Sequence, residues 1–214
     1  MTLRDEALRL AGGGSGPRVG VLALQGDVRE HAQLLGGLGA RVSLVRRAED
    51  LDGINGIVLP GGESSAIDKL ARAFGVFEPL QQRLRDGLPA FGTCAGLILL
   101  ADRILDAAPG QQSFGGLDVV VRRNAFGAQN QSFETELRIP EFGEPPVHAT
   151  FIRGPAVESL GPKARALAQL ADGRVVAVQQ DALLGTSFHP EMNGERRFHD
   201  YFLQRVVESL SERR

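Results

Sequence analysis

One cysteine, Cys94, occurs in 214 residues. That excludes an internal disulfide and any cluster of thiolates around a metal. His-x-x-His spacing is missing as well, so no metal is expected. No apolar run approaches the ~20 residues of a membrane span. The opening MTLRDEALRLAGGGSGP is too charged for a signal peptide, so the expectation is a cytoplasmic protein without a membrane partner. Neither sign of charge is in excess: 24 basic residues face 26 acidic ones, a net charge of -2, and no basic field favours nucleic acid. Lysine is scarce, with only Lys69 and Lys163, and nothing functional follows from it. G-x-x-x-x-G-K-[ST] is absent, so phosphorylated compounds have no evident cradle. A small molecule or another protein remains as the partner.

The length suits one domain with its own core. Residues 1–17 end in GGGSGP and are expected to form a flexible extension, leaving 18–214 as the folded domain. From Val19 strand and helix patterns alternate. VGVLAL, RVSLV, GIVLP and LPAFG have strand length; DVREHAQLLGGL sets Val28, His31, Leu35 and Leu38 on one helical face, and SAIDKLARAF, FEPLQQRLRDG and AGLILLADRI read as helices. That order predicts an α/β fold, a flavodoxin-like three-layer sandwich around a mostly parallel central sheet. After Asp106 the segments LDVVV, SFETELRI, PVHATFI, ARALAQL, RVVAVQQ and LLGTSF predict a β-rich antiparallel annex continuing the sheet. GERRFHDYFLQRVVESL closes the pattern as an amphipathic helix with Phe198, Phe202, Val206 and Leu210 on one stripe.

Cys94 falls where the strand PAFG meets the helix AGLILL, and GTCAG has the G-x-Nuc-x-G form of a nucleophile elbow. Such a turn admits only small neighbours, here Gly92, Ala95 and Gly96, and a helix opening beneath the sulfur favours the thiolate. Taken alone, a cysteine beside an apolar helix is equally a small buried hydrophobe. The glycine frame favours the nucleophile. A thiolate wants a base held by a third group. Of four histidines only His189 follows an apolar strand directly and has a carboxylate, Glu191, two residues on, with Pro190 stiffening the link. His31, His148 and His199 are assigned to core or surface roles. LPGGESS ends a strand in two glycines whose N–H groups can face a reacting carbonyl. It is also readable as an ordinary turn before a helix capped by Ser64 or Ser65, and the two readings are compatible.

The three loops PGGES, GTCAG and GTSFHPE, in this order, resemble those of the class I glutamine amidotransferases. LALQGDVREH (22–31), RNAFGAQNQSFE (123–134) and FIRGP (151–155) narrow the resemblance to the glutaminase subunits of pyridoxal 5'-phosphate synthase, across nearly the whole folded chain. The resemblance implies hydrolysis of L-glutamine by Cys94 as nucleophile, His189 as base and Glu191 as its partner. It implies that glutamine and the oxyanion are held around Gly61, Gly62 and Glu63, by Arg123, and by Ile152 and Arg153, with Gln25 supporting the oxyanion loop or an interface. It further implies a separate synthase subunit in a large hetero-oligomer, to which the ammonia passes for vitamin B6 biosynthesis, and no cofactor in this chain. Activity in such subunits is commonly latent until the synthase docks. Ala128, Gly154 and Ser65-Ala66 differ from the family's usual residues. The alternatives are the glutaminase subunit of another biosynthetic synthase, which would lack RNAFG and FIR, and a degenerate regulatory subunit, which would have no reason to keep all three triad residues.

Overall fold

The computed structural model describes residues 16–125 and 132–212. The expected extension, residues 1–17, therefore lies outside the described residues except for its last two, and so does Ala128.

Four apolar segments form the parallel half of the sheet: β1 (Arg18–Leu22), β2 (Arg41–Val45), β3 (Gly56–Leu59) and β4 (Ala90–Thr93). β3 and β4 are buried at every residue, as continuous apolar runs covered on both faces must be. Between and after them run α1 (Val28–Gly37), α2 (Ser64–Ala73), α3 (Phe77–Arg85) and α4 (Ala95–Leu100). The later strands are β5 (Ala101–Leu105), β6 (Leu117–Arg122), β7 (Ser132–Leu137), β8 (Val147–Ile152), β9 (Ala156–Leu160), β10 (Arg165–Gln169), β11 (Val175–Gln180) and β12 (Leu183–Thr186), and α5 (Arg197–Glu212) ends the fold.

Ten strands make one sheet in the order β2-β1-β3-β4-β12-β11-β9-β6-β5, with β10 beside β11. β12 is parallel to β4 and antiparallel to β11, so it joins the two halves. Two apolar clusters lie on opposite faces of the sheet. One gathers Ile67, Leu80 and Leu97 from α2, α3 and α4; the other gathers Leu35, Phe198 and Phe202 from α1 and α5. These are the three expected layers.

Three expectations need correction. AGLILLADRI is not one helix: α4 stops after six residues, Ala101 takes φ −62°, ψ 140°, and residues 101–105 pair in parallel with β6. Residues 95–101 are buried on every side, so hydrophobic periodicity gives no sign of where helix yields to strand, and the partner of β5 is distant in sequence. The antiparallel annex does not wholly continue the sheet, because β7 and β8 pair only with each other in a separate ribbon. That ribbon packs Leu137, Val147 and Phe151 against the α5 side of the core. Lastly, the residue capping α2 is Glu63, not Ser64 or Ser65. Its extended backbone lets the carboxylate accept the Ala66 N–H at 2.8 Å. Strand β9 gave no readable signal, since AVESL is short and follows a Gly-Pro break.

No helix among the described residues is long and apolar enough to cross a membrane.

Candidate active site

Parallel strands deliver their carboxyl ends to one edge of a sheet, and β4 and β12 are neighbours. Thr93 pairs with Thr186, so the residues that follow each strand emerge side by side. Cys94 follows the first at φ 49°, ψ −101°, a region that side-chain-bearing residues rarely occupy. The turn is closed by a hydrogen bond from the Cys94 N–H to the Thr186 carbonyl, 2.8 Å. It is also why the flanking glycines are needed: a Cβ on Gly92 would lie 2.8 Å from the Leu97 nitrogen, and one on Gly96 would strike the Leu59 carbonyl. Cys94 is almost wholly buried, at 7 % exposure.

His189 follows β12 and opens a 3₁₀ turn, Pro190–Asn193, that folds Glu191 back beneath it. Its Nδ1 lies 2.8 Å from Glu191 Oε1 and 3.3 Å from Asp27 Oδ2. Cys94 lines the same cavity as His189. Burial alone would push the imidazole down, but Asp27, Cys94 and Glu191 together outweigh it and hold the group well above its ordinary value. Burial would likewise raise Glu191, yet the charge of His31 and the hydrogen bonds from His189 and His31 hold it well below the carboxylate range. The resulting arrangement is an imidazole hydrogen-bonded to a carboxylate and sharing one cavity with a thiol. It can take the thiol's proton and return it to a leaving group.

The loop after β3 lies opposite. The Gly61 carbonyl accepts from the Asp27 N–H at 3.2 Å, and the Glu63 N–H donates to Gln25 Oε1 at 2.8 Å. C=O and N–H of a trans peptide point in opposite directions, so holding the Gly61 carbonyl against residues 25–27 turns the Gly62 N–H away from them. Gly61 sits tight against the base, where an added Cβ would come within 2.8 Å of His189 Nδ1 and of Asp27 Oδ2.

Asp27, Gly62, Glu63, Cys94 and His189 line one cavity of about 370 Å³ together with Ser64, Ile98, Arg123, Asn124, Ile152, Arg153 and Met192. Of the residues expected from sequence, the cavity gathers Cys94, His189, Gly62, Glu63, Arg123, Ile152 and Arg153. Glu191, Gly61 and Gln25 stand one layer behind, each touching a residue of the wall. The two arginines are not equivalent. Arg123 is already paired with Glu63 at 2.8 Å, whereas exposed Arg153, at φ 48°, has no ion-pair partner among the described residues. Burial would raise the Glu63 carboxyl, but hydrogen bonds from Ser65 and Ala66, and then Arg123, hold it below its ordinary value. A larger groove of about 700 Å³ lies at the amino-terminal ends of β4 and β12, bordered by Gly87, Lys163, Ala182 and Arg205. Its lining holds neither cysteine nor histidine, so the smaller cavity, which has both, is the candidate.

Sequence reading passed over Asp27, although it stands inside LQGD; its contact with His189 depends on a turn that brings β1's end to the loop after β3. His31 and His199, read as core or surface, are both wholly buried, and His31 Nε2 lies 3.5 Å from Glu191 Oε1. His148 is exposed and lies between Glu136 and Glu134, 2.8 and 3.2 Å away across the β7–β8 ribbon. Asp27, His189 and Glu191 bring their ligand atoms within 4.8 Å of one another, the one group among the described residues able to hold a metal ion. An ion there would take the Nδ1 lone pair that the hydrogen bond to Glu191 requires to be protonated.

A family model described as the SNO glutamine amidotransferase family matches residues 21–208. The chain is 63% identical over 196 residues to a protein of Clavibacter michiganensis subsp. michiganensis named pyridoxal 5'-phosphate synthase subunit PdxT, covering 92% of this chain and 94% of that one. A protein of the same name from Leifsonia xyli subsp. xyli is 62% identical over 190 residues, covering 89% and 96%. Among solved structures, one described as a glutamine amidotransferase superimposes with a TM-score of 0.82 at 45% identity, over 88% of this chain and 98% of that one.

Proposed function

The chain belongs to the SNO glutamine amidotransferase family, and on that premise we propose that it is the glutaminase subunit of a pyridoxal 5'-phosphate synthase, working through Cys94, His189 and Glu191. The observation that carries the triad is the convergence of Cys94, strained at the end of β4, with His189 and Glu191 at the end of β12.

Glutamine enters with its side-chain carbonyl carbon over the sulfur. The thiolate bonds to that carbon, the carbonyl electrons move to oxygen, and that oxygen accepts a hydrogen bond from the Gly62 N–H. Collapse breaks the C–N bond as His189 gives its proton to the nitrogen, and ammonia leaves a thioester on Cys94. Water then attacks the thioester carbon and loses a proton to His189; the C–S bond breaks and glutamate departs. Glu191 holds the imidazole ring and stabilises its charged form throughout. Arg153, without an ion-pair partner among the described residues, is the natural partner of the substrate's α-carboxylate, and Glu63, steadied by Arg123, that of its α-ammonium. Ile152 and Gly62 complete the wall, while Gly61 and Gln25 hold the loop from behind.

The ammonia is consumed by a separate synthase chain, with which this subunit assembles into a hetero-oligomer. A reducing compartment keeps a free thiol reduced, and we place the reaction in the cytoplasm. Residues 18–214 serve as the single amidotransferase domain. The test is ammonia release from glutamine by the purified chain, alone and with a pyridoxal-phosphate synthase subunit, beside Cys94→Ala. Release that rises with the synthase and vanishes in the variant is expected. Release indifferent to that subunit would assign the chain to another synthase, and none under either condition would mark a regulatory subunit without catalysis.

A further inference from the structure

Two histidines, neither of them His189, are wholly buried among apolar residues: His31 on α1 and His199 on α5. A buried imidazole must find hydrogen-bond partners or cost the fold its desolvation. These two find each other, His31 Nδ1 to His199 Nε2 at 2.8 Å. The other nitrogen of His31 lies 3.1 Å from Thr93 Oγ1, and the Thr93 hydroxyl is 3.4 Å from Glu191 Oε1. His31 Nε2 itself is 3.5 Å from that same oxygen. Three side chains, His31 from α1, Thr93 from β4 and His189 from beyond β12, thus converge on one carboxylate oxygen, which accepts from His189 Nδ1 at 2.8 Å. Oε2 of Glu191 has no hydrogen-bond partner among the described residues. Phe91 packs edge-on to both rings, at 87° to His31 and 82° to His199, which fixes their planes.

We propose that His31 is a positioning residue for Glu191, aimed by His199 and acting through Thr93, that keeps Oε1 turned toward His189. A hydroxyl that donates to Glu191 accepts the His31 Nε2–H, and the other nitrogen of His31 shares a proton with His199 Nε2. Burial, then the neighbouring His31, pushes His199 down to about 3, so it is neutral and fits its place at the end of the chain. Packing alone asks for a leucine at either position. The two polar rings extend the hydrogen-bond network to Glu191, and without them that buried carboxylate is free to rotate away from His189 while Asp27, 3.3 Å off, takes its place at Nδ1.

The inference rests on Glu191 serving His189 in glutamine hydrolysis. The experiment measures ammonia release with the synthase subunit present for the unaltered chain, His31→Gln, His31→Asn, His31→Leu, Glu191→Gln and the His31→Leu/Glu191→Gln double variant. Outer partners of active-site groups typically contribute about 10- to 100-fold, and His31→Leu is expected to lower kcat by that factor with KM within about twofold. Glutamine's amide reaches the position of Nε2 and restores most of the loss; asparagine's reaches only the side facing His199 and does not. In the Glu191→Gln background His31→Leu costs nothing further. A kcat within about twofold of the unaltered chain for both His31→Leu and His31→Asn, or an equal loss with and without Glu191, would overturn the proposal. If circular dichroism finds His31→Leu unfolded, the asparagine and glutamine pair decides. An unaltered chain releasing no ammonia with the synthase would overturn the glutaminase reading and this inference together, whereas an active chain with insensitive variants overturns the inference alone.

Discussion

The amide of Cys94 donates to the carbonyl of Thr186 across 2.8 Å, extending the β4–β12 pairing one residue beyond the strands themselves. The sulfur and the imidazole that reaches it are therefore set by main-chain pairing, and their separation does not depend on the rotamers of long side chains.

Backbone strain at Cys94 implies a trade between activity and stability. A side chain at φ 49°, ψ −101° costs about 1–3 kcal/mol that glycine avoids. Cys94→Gly is expected to match Cys94→Ala in having no glutaminase activity, yet to unfold at a higher temperature by a few degrees. Thermal denaturation of the two dead variants side by side checks this; equal midpoints would mean the turn is unstrained.

Gly61→Ala should act on the base before it acts on the fold. The added methyl would come within 2.8 Å of His189 Nδ1, and a side chain yields more readily than the sheet behind it. Activity is expected to fall by at least about tenfold while stability drops by only about 1 kcal/mol. Paired kinetic and urea-denaturation measurements separate the two effects.

Arg153→Ala is expected to raise KM for glutamine by about 10- to 100-fold, the worth of one charge-assisted hydrogen bond, with kcat little changed. Arg123→Ala differs, because its guanidinium holds Glu63 at 2.8 Å and so braces the loop that carries Gly62. Its kcat should fall as well. Steady-state kinetics that give both variants the same pattern would remove the distinction.

The triad's own titrations predict the pH dependence of stability. Glu191 is depressed in the folded chain, so its contribution is complete above the unfolded value of about 4.5 and is lost as pH falls below it. His189 is raised, so its contribution is complete below about 6.5 and is lost progressively as pH climbs above that. Glu191→Gln should flatten the acid limb of a stability profile and His189→Asn the alkaline limb, each measured by denaturant midpoint across pH.

The sequence carried the elbow, the base and the order of the parallel strands because each depends on local chemistry: glycines flanking Cys94, a proline after His189, apolar runs of strand length. What it withheld depends on chain segments meeting. Asp27 stood in plain view within LQGD, but only the turn after β1 brings it to His189. The strand character of residues 101–105 is supplied by β6, and the capping of α2 by Glu63 follows from a loop conformation that Gln25 holds in place. His199 lay on the expected helix beside its apolar stripe, and its partner was 168 residues away.

The strand that completes the cavity is also a late one. β12 pairs with β4 through residues such as Ala90 and Leu183, 93 positions apart, with all of the antiparallel half made between them. During synthesis on a ribosome, Cys94 emerges long before His189, and a nascent chain short of residue 189 holds the proposed nucleophile with no base to activate it. With those roles, glutamine is safe from every unfinished copy, and hydrolysis is expected to begin only once the polypeptide has closed its central sheet.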